Sequence, residues 1–180
     1  MSKTSCHGAA TLALDELKKR AKRLGRAARD SAGEARSGDD SARGAEGSAR
    51  GEGEASPQHK QMLLTVARQA GFRDWQHARQ ILSGGGRVGD DFGKMWIGRS
   101  GGGFLNEWFA SYDEARRSWE AQSGAFLLPY GRQFVVVGRD LMHHHGVTSA
   151  AVAVDLVEES GNELWDAMCR ERLRHLFSTL

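Results

Sequence analysis

Three consecutive histidines, His143-His144-His145, are the most conspicuous residues with chemistry to offer. A neutral imidazole is a good ligand for zinc and other transition metals. In an extended stretch, side chains two apart share a side, so His143 and His145 could reach one metal, with Asp140 close by in sequence. A zinc site needs further ligands, and a catalytic one usually takes three from protein. Asp155, Glu158 and Glu159 are available, but no spacing argument connects them to the histidines; an exposed polar turn is the competing reading.

A second chemistry is electrostatic. Between Asp15 and Arg29 stand seven basic residues, Lys18, Lys19, Arg20, Lys22, Arg23, Arg26 and Arg29, against two acids. Cations gathered this way neutralise phosphates and gain affinity by releasing counterions. The plainer alternative is a solvated helix face. Arg73 belongs with them, because it opens a short-turn helix pair offering Gln76, His77, Arg79 and Gln80, the geometry of helix-turn-helix readers. A third possibility is a sheet-face pocket of Trp96, Trp108, Tyr130 and Arg132, with Asn106 and Glu107. Against it, large aromatics in a small domain usually form its core.

These residues must be held by recognisable elements. Leu14, Leu17, Ala21, Leu24 and Ala28 recur at three- and four-residue steps, predicting an amphipathic helix over Thr11–Arg29 with Thr11 as N-cap and a cationic outer face. Residues 30–55 are Gly, Ala, Ser and charged residues with no Leu, Ile, Val, Met or aromatic, and are expected to be a disordered linker. Ser56-Pro57 is a cap followed by proline at the first helical position. Gly71-Phe72 reads as a Schellman stop, and Asp74 as the cap of a further helix ending at Gly84-Gly85-Gly86. Residues 56–83 are thus a two-helix module packing with residues 11–29.

Period-two alternation follows. Lys94–Gly98 and Phe104–Ala110 read as strands, with Phe104, Asn106 and Trp108 on one face of the second. Ser111 to Glu114 is a capping box opening a helix. Ala125–Tyr130, with Pro129 suited to an edge, and Gln133–Val137 complete the set. Asp140 is placed as the cap of a short turn, Ala150–Glu159 is ambiguous between strand and helix, and Ser160 to Glu163 opens a C-terminal helix. The fold class expected is therefore α+β: a helical N-terminal module, then over residues 92–180 a small antiparallel sheet in the order β-β-α-β-β with packed helices.

Leu14 to Lys18, Ala21 to Leu24, Ser56 to His59 and above all Gly71-Phe72-Arg73-Asp74-Trp75 resemble a small helical module of uncharacterised bacterial proteins, the glyoxalase-related or glyoxalase superfamily proteins. The chain departs from that pattern by its long spacer. The C-terminal half resembles domains of uncharacterised proteobacterial proteins. Glyoxalases share a paired βαβββ fold with His and Glu metal ligands, and no such set matches here, so the resemblance implies the helical module and no enzyme.

Other signals are negative. The glycine stretches Gly84–Gly86 and Gly101–Gly103 lack a P-loop Lys-Ser/Thr ending and dinucleotide spacing, and read as turns. Cys6 and Cys169 do not make a disulfide framework, and Cys169 falls on a helix stripe as a buried, inert thiol. The 180 residues carry a net charge of only +2, with no apolar h-region after Met1 and no run long enough to span a bilayer. The expectation is a cytoplasmic, non-catalytic binding protein without cofactor, contacting nucleic acid or a protein through its basic head. The alternative is an enzyme or metal-binding protein using the sheet face and His143–His145.

Overall fold

The computed structural model describes residues 12–34, 56–97, 104–149 and 153–179. The first helix, α1 (Leu12–Glu34), buries Ala13, Leu14, Leu17 and Ala21 and half-buries Leu24, while Ala28 is exposed. It continues past Arg29 because Ala27, Ala28 and Ala32 are strong helix formers. Residues 35–55, most of the expected linker, lie outside the described residues, as does Thr11. The α1 amide donors are met from far along the chain. The carboxylate of Asp166 accepts from Leu12 N–H and Ala13 N–H, each at 3.0 Å. A buried anion at the positive end of a helix stabilises it by hydrogen bonding and by the dipole.

Helix α2 (Pro57–Gln69) starts on Ser56, whose hydroxyl accepts from His59 N–H. It ends in the expected Schellman pattern: Gly71 N–H donates to Arg68 O, Phe72 N–H donates to Ala67 O, and Gly71 sits at φ +89°. Helix α3 (Trp75–Leu82) is capped by Asp74, which accepts from His77 N–H at 2.8 Å. Helix α1 packs against both α2 and α3 through its apolar stripe.

Lys94–Ile97 does not form the expected strand, and Gly98 lies outside the described residues. Met95 and Trp96, though adjacent, are both buried. The segment's backbone is satisfied elsewhere. Phe92 N–H donates to Gly131 O, Gly131 N–H to Gly93 O and Lys94 N–H to Gly71 O, while Arg172 Nε donates to Met95 O. Residues 91–97 therefore act as a bracket between the helical corner and the sheet, with no ladder partner among the described residues.

Three strands remain: β1 (Asn106–Phe109), β2 (Phe126–Tyr130) and β3 (Gln133–Val137), antiparallel in the order β1-β3-β2. The connectivity is β-α-β-β, with α4 (Tyr112–Glu120) between β1 and β2. Phe134 and the three valines of β3 are buried on both faces, which suits the central position. Pro129 falls on β2, an outer strand, where its missing N–H costs no ladder bond. Helix α4 covers one face, where Ser118 donates to Glu107 at 2.5 Å and the Tyr112 and Phe134 rings meet at 5.4 Å. Ser111 is its N-cap by position, but its side chain makes no cap hydrogen bond, so the expected capping box does not close.

The ambiguous stretch before the last helix is neither strand nor helix. Leu127 N–H donates to Val154 O and Leu156 N–H donates to Leu127 O, a single parallel bridge on the outer edge of β2, with residues 150–152 outside the described residues. Helix α5 (Arg139–His144) starts at Gly138, with Asp140 inside its first turn and not at its cap. Helix α6 (Glu163–Ser178) is capped by Asn162 and not by Ser160, because Gly161 at φ +91° lies against the Gly84 backbone and delays helix entry. Helix α1 packs on α6, so helical module and sheet share one connected core.

Candidate functional site

The histidine run divides. Residues 139–144 are helical, and His145 closes the last turn. Two positions along a helix point side chains to nearly opposite sides, leaving His143 exposed and His145 only 3% exposed. The extended geometry that would bring the two together on one metal is absent. Among the described residues no group of three His, Cys, Asp or Glu side chains is arranged to hold a metal ion. His145 lies near the buried Arg172, His144 and His175. Its buried Nε2 has no hydrogen-bond partner, and burial first, then those three basic groups, lower its pKa to about 4. Burial likewise lowers Arg172 to about 10 and pushes the Cys169 thiol up.

Around α1 the basic residues sort by face. Lys18, Lys19, Lys22, Arg23, Arg26 and Arg29 are exposed. Of these, only Lys18 has a carboxylate partner among the described residues, Asp15 at 3.2 Å. Arg20 is turned aside: its guanidinium lies over the Phe177 ring at 5.3 Å, a packing contact with α6. Glu16 is also taken inward, by Arg174 at 3.3 Å. The outer side of α1 therefore keeps six cations against the exposed carboxylates of Asp15 and Asp30.

The four residues expected to line one sheet-face pocket do not meet. Trp96 is buried, its ring 5.8 Å from that of Trp165, and belongs to the core. Trp108 is 46% exposed and stands edge-on to Tyr130 at 5.1 Å, and Arg132 is exposed at the β2–β3 turn. The aromatic pair of the expected pocket thus exists, without Trp96.

Arg73 leads to a different feature. A cleft of about 390 Å³ opens between the α2–α3 corner and the bracket, lined among others by Arg68, Arg73, His77, Asp91 and Lys94. Its floor is backbone: Gly71 and Gly93 both adopt positive φ, and a Cβ on Gly71 would stand 2.8 Å from the Lys94 carbonyl carbon. Only glycine permits both the conformation and the approach. His77 locks the corner, its Nδ1 accepting from Arg73 N–H at 3.1 Å and its Nε2 donating to Asp91 O at 2.5 Å. Asp74 is held below the usual carboxylate range by His77 N–H and then by Arg73, and engages Arg73 Nε at 3.1 Å. Arg68 donates through Nε to Arg73 O at 3.4 Å, and the Lys94 ammonium lies 5.8 Å from the centre of the Tyr130 ring. The Asp91 carboxylate accepts from Gly93 N–H.

Arg68 and Lys94 were not among the residues singled out by sequence, although Arg68 lies five positions before Arg73. What brings Lys94 beside them is the bond from its N–H to Gly71 O, between residues that no periodicity connects. No family model matches the chain, and neither a curated protein nor a solved structure matches it. No helix of the described residues is long and apolar enough to cross a membrane.

Proposed function

We propose that this protein is a non-catalytic nucleic-acid-binding protein whose α1 presents its cationic face to the phosphate backbone. The observation that carries the reading is the division of α1: its apolar stripe is consumed by α2 and α6, while Lys19, Lys22, Arg23, Arg26 and Arg29 are exposed with no carboxylate partner among the described residues. From Lys18 to Arg29 the helix rises about 16 Å at 1.5 Å per residue, enough to follow several successive phosphates. The likeness of the helical segments to the glyoxalase-related module is compatible with this reading and adds no chemistry to it.

Electrophoretic mobility shift with short duplex DNA and RNA across a salt series tests it. If about five phosphates are neutralised, log K on duplex DNA falls against log salt with a slope of about −4.5. The triple variant Lys22→Ala, Arg23→Ala, Arg26→Ala, all at exposed positions, is expected to weaken binding at least tenfold at low salt with an unchanged circular dichroism spectrum. Binding that is absent, or indifferent to salt, removes the proposal.

A further inference from the structure

We propose that the cleft between the α2–α3 corner and the Asp91–Lys94 bracket is a nucleoside-phosphate site, with phosphate held by Arg68, Arg73 and Lys94 and the base resting on Trp108. The proposal is independent of the α1 face. Three cationic side chains line an open cleft whose one carboxylate among the described residues, that of Asp91, accepts from Gly93 N–H. Neither Arg68 nor Lys94 is paired with a carboxylate among the described residues, and Arg73, with its side chain 74% exposed, has only the Asp74 beside it. A guanidinium fork and an ammonium are the groups that bind phosphate oxygens best.

The second half of the site is aromatic, and Lys94 joins it to the first. Its ammonium lies over the Tyr130 ring, and the Trp108 ring stands next to Tyr130, half exposed on the outer strand β1. Trp108 and Tyr130 stand beyond the cleft's own lining, so a ligand with phosphate at Arg68 and Lys94 reaches the indole by extending past Lys94 and Tyr130, where its base can stack as bases do on the aromatic rings of single-strand binders. A phosphate without a ring would leave Trp108 unused, and a bare aromatic would leave the cations unused. Nucleoside phosphate satisfies both. Gly71, Gly93 and His77 hold the floor of the cleft by hydrogen bonds to the backbone around it.

Isothermal titration of the full chain with adenosine monophosphate, inorganic phosphate and the single-stranded hexanucleotide U6 tests the inference. Adenosine monophosphate is expected to bind, and inorganic phosphate at least tenfold more weakly. Arg68→Ala with Lys94→Ala should lower nucleotide affinity at least tenfold. Trp108→Ala should lower it about fivefold or more without changing the affinity for inorganic phosphate. U6 binding tenfold tighter than the mononucleotide makes a nucleic-acid strand the source of the nucleotide; the reverse order makes it a free nucleotide, and either order supports the site. Failure of the wild-type chain to bind either ligand overturns the proposal, as does nucleotide binding that survives the Arg68/Lys94 pair of substitutions. The α1 triple variant should retain mononucleotide binding, so failure at one surface is distinguishable from failure at the other.

Discussion

His145 and Arg172 are two basic side chains, each less than 4% exposed, packed in one neighbourhood with His144 and His175. Arg172 satisfies its Nε on the Met95 carbonyl, so it ties α6 to the bracket at the cost of holding a desolvated guanidinium. His145 stays neutral there, with a pKa near 4 against an ordinary 6.5. Between pH 6.5 and 4 the unfolded chain therefore takes up a proton that the folded chain refuses, and stability falls as the pH drops through that window. The loss attributable to His145 over that window is on the order of 3 kcal/mol, and His175, lowered in the same direction, adds to it. Urea melts at pH 7 and pH 4.5 should show a larger drop for the wild-type chain than for His145→Leu. An equal drop in both would assign the acid sensitivity to other groups. The same residue shows why adjacent histidines are a poor guide to a metal: periodicity could not tell a helical turn from an extended segment over six residues.

Among the elements, α1 is the one whose surroundings explain it best. Its amphipathic stripe was legible from Leu14, Leu17 and Ala21, as was the cationic outer side. Its cap was not. Asp166, more than 150 residues away in sequence, accepts from both Leu12 and Ala13. Asp166→Ala should destabilise the protein by about 2 kcal/mol, since two buried amide donors lose a charged acceptor. A chemical melt followed by far-ultraviolet circular dichroism measures this; a change under 0.5 kcal/mol would mean that solvent replaces the carboxylate. The α2–α3 corner was legible almost in full, because Ser56-Pro57, Gly71-Phe72 and Asp74 are local signals whose hydrogen bonds close within five residues. The strand expected at Lys94–Gly98 failed for the opposite reason. Met-Trp-Ile is a short apolar run of the kind a buried strand uses, yet the Lys94 N–H and the Met95 carbonyl are claimed by Gly71 and Arg172.

For the whole molecule, α1 packs on α6 and α6 reaches the bracket through Arg172, so helices and sheet draw on one core. A division into a tethered basic rod and a separate α+β body would let α1 detach without disturbing the sheet. With a shared core, Leu17→Ala, at a position fully buried in α1, should cost about 3 kcal/mol and lower the midpoints seen by circular dichroism and by tryptophan fluorescence together. Two separate transitions, with the fluorescence midpoint unmoved, would show the parts to be independent. The shared core also sets the distribution of charge: the sides of α1 and α2 that could pair with other helices are spent, and Lys22, Arg23, Arg26, Arg68 and Lys94 remain at the surface.

By itself the sequence determined the α+β class, the apolar face of α1, the limits of α2 and α3, the two strands 126–130 and 133–137 to within a residue, and the concentration of positive charge near the start of the chain. Each of these depends on interactions within a few residues or on a repeating pattern of burial. Only the tertiary structure decided that β3 lies between β1 and β2, that His143 and His145 part company, and that Lys94 joins Arg68 and Arg73. Those outcomes depend on which distant backbone groups satisfy one another, and hydrogen bonds between remote segments leave no periodic trace in the order of the residues.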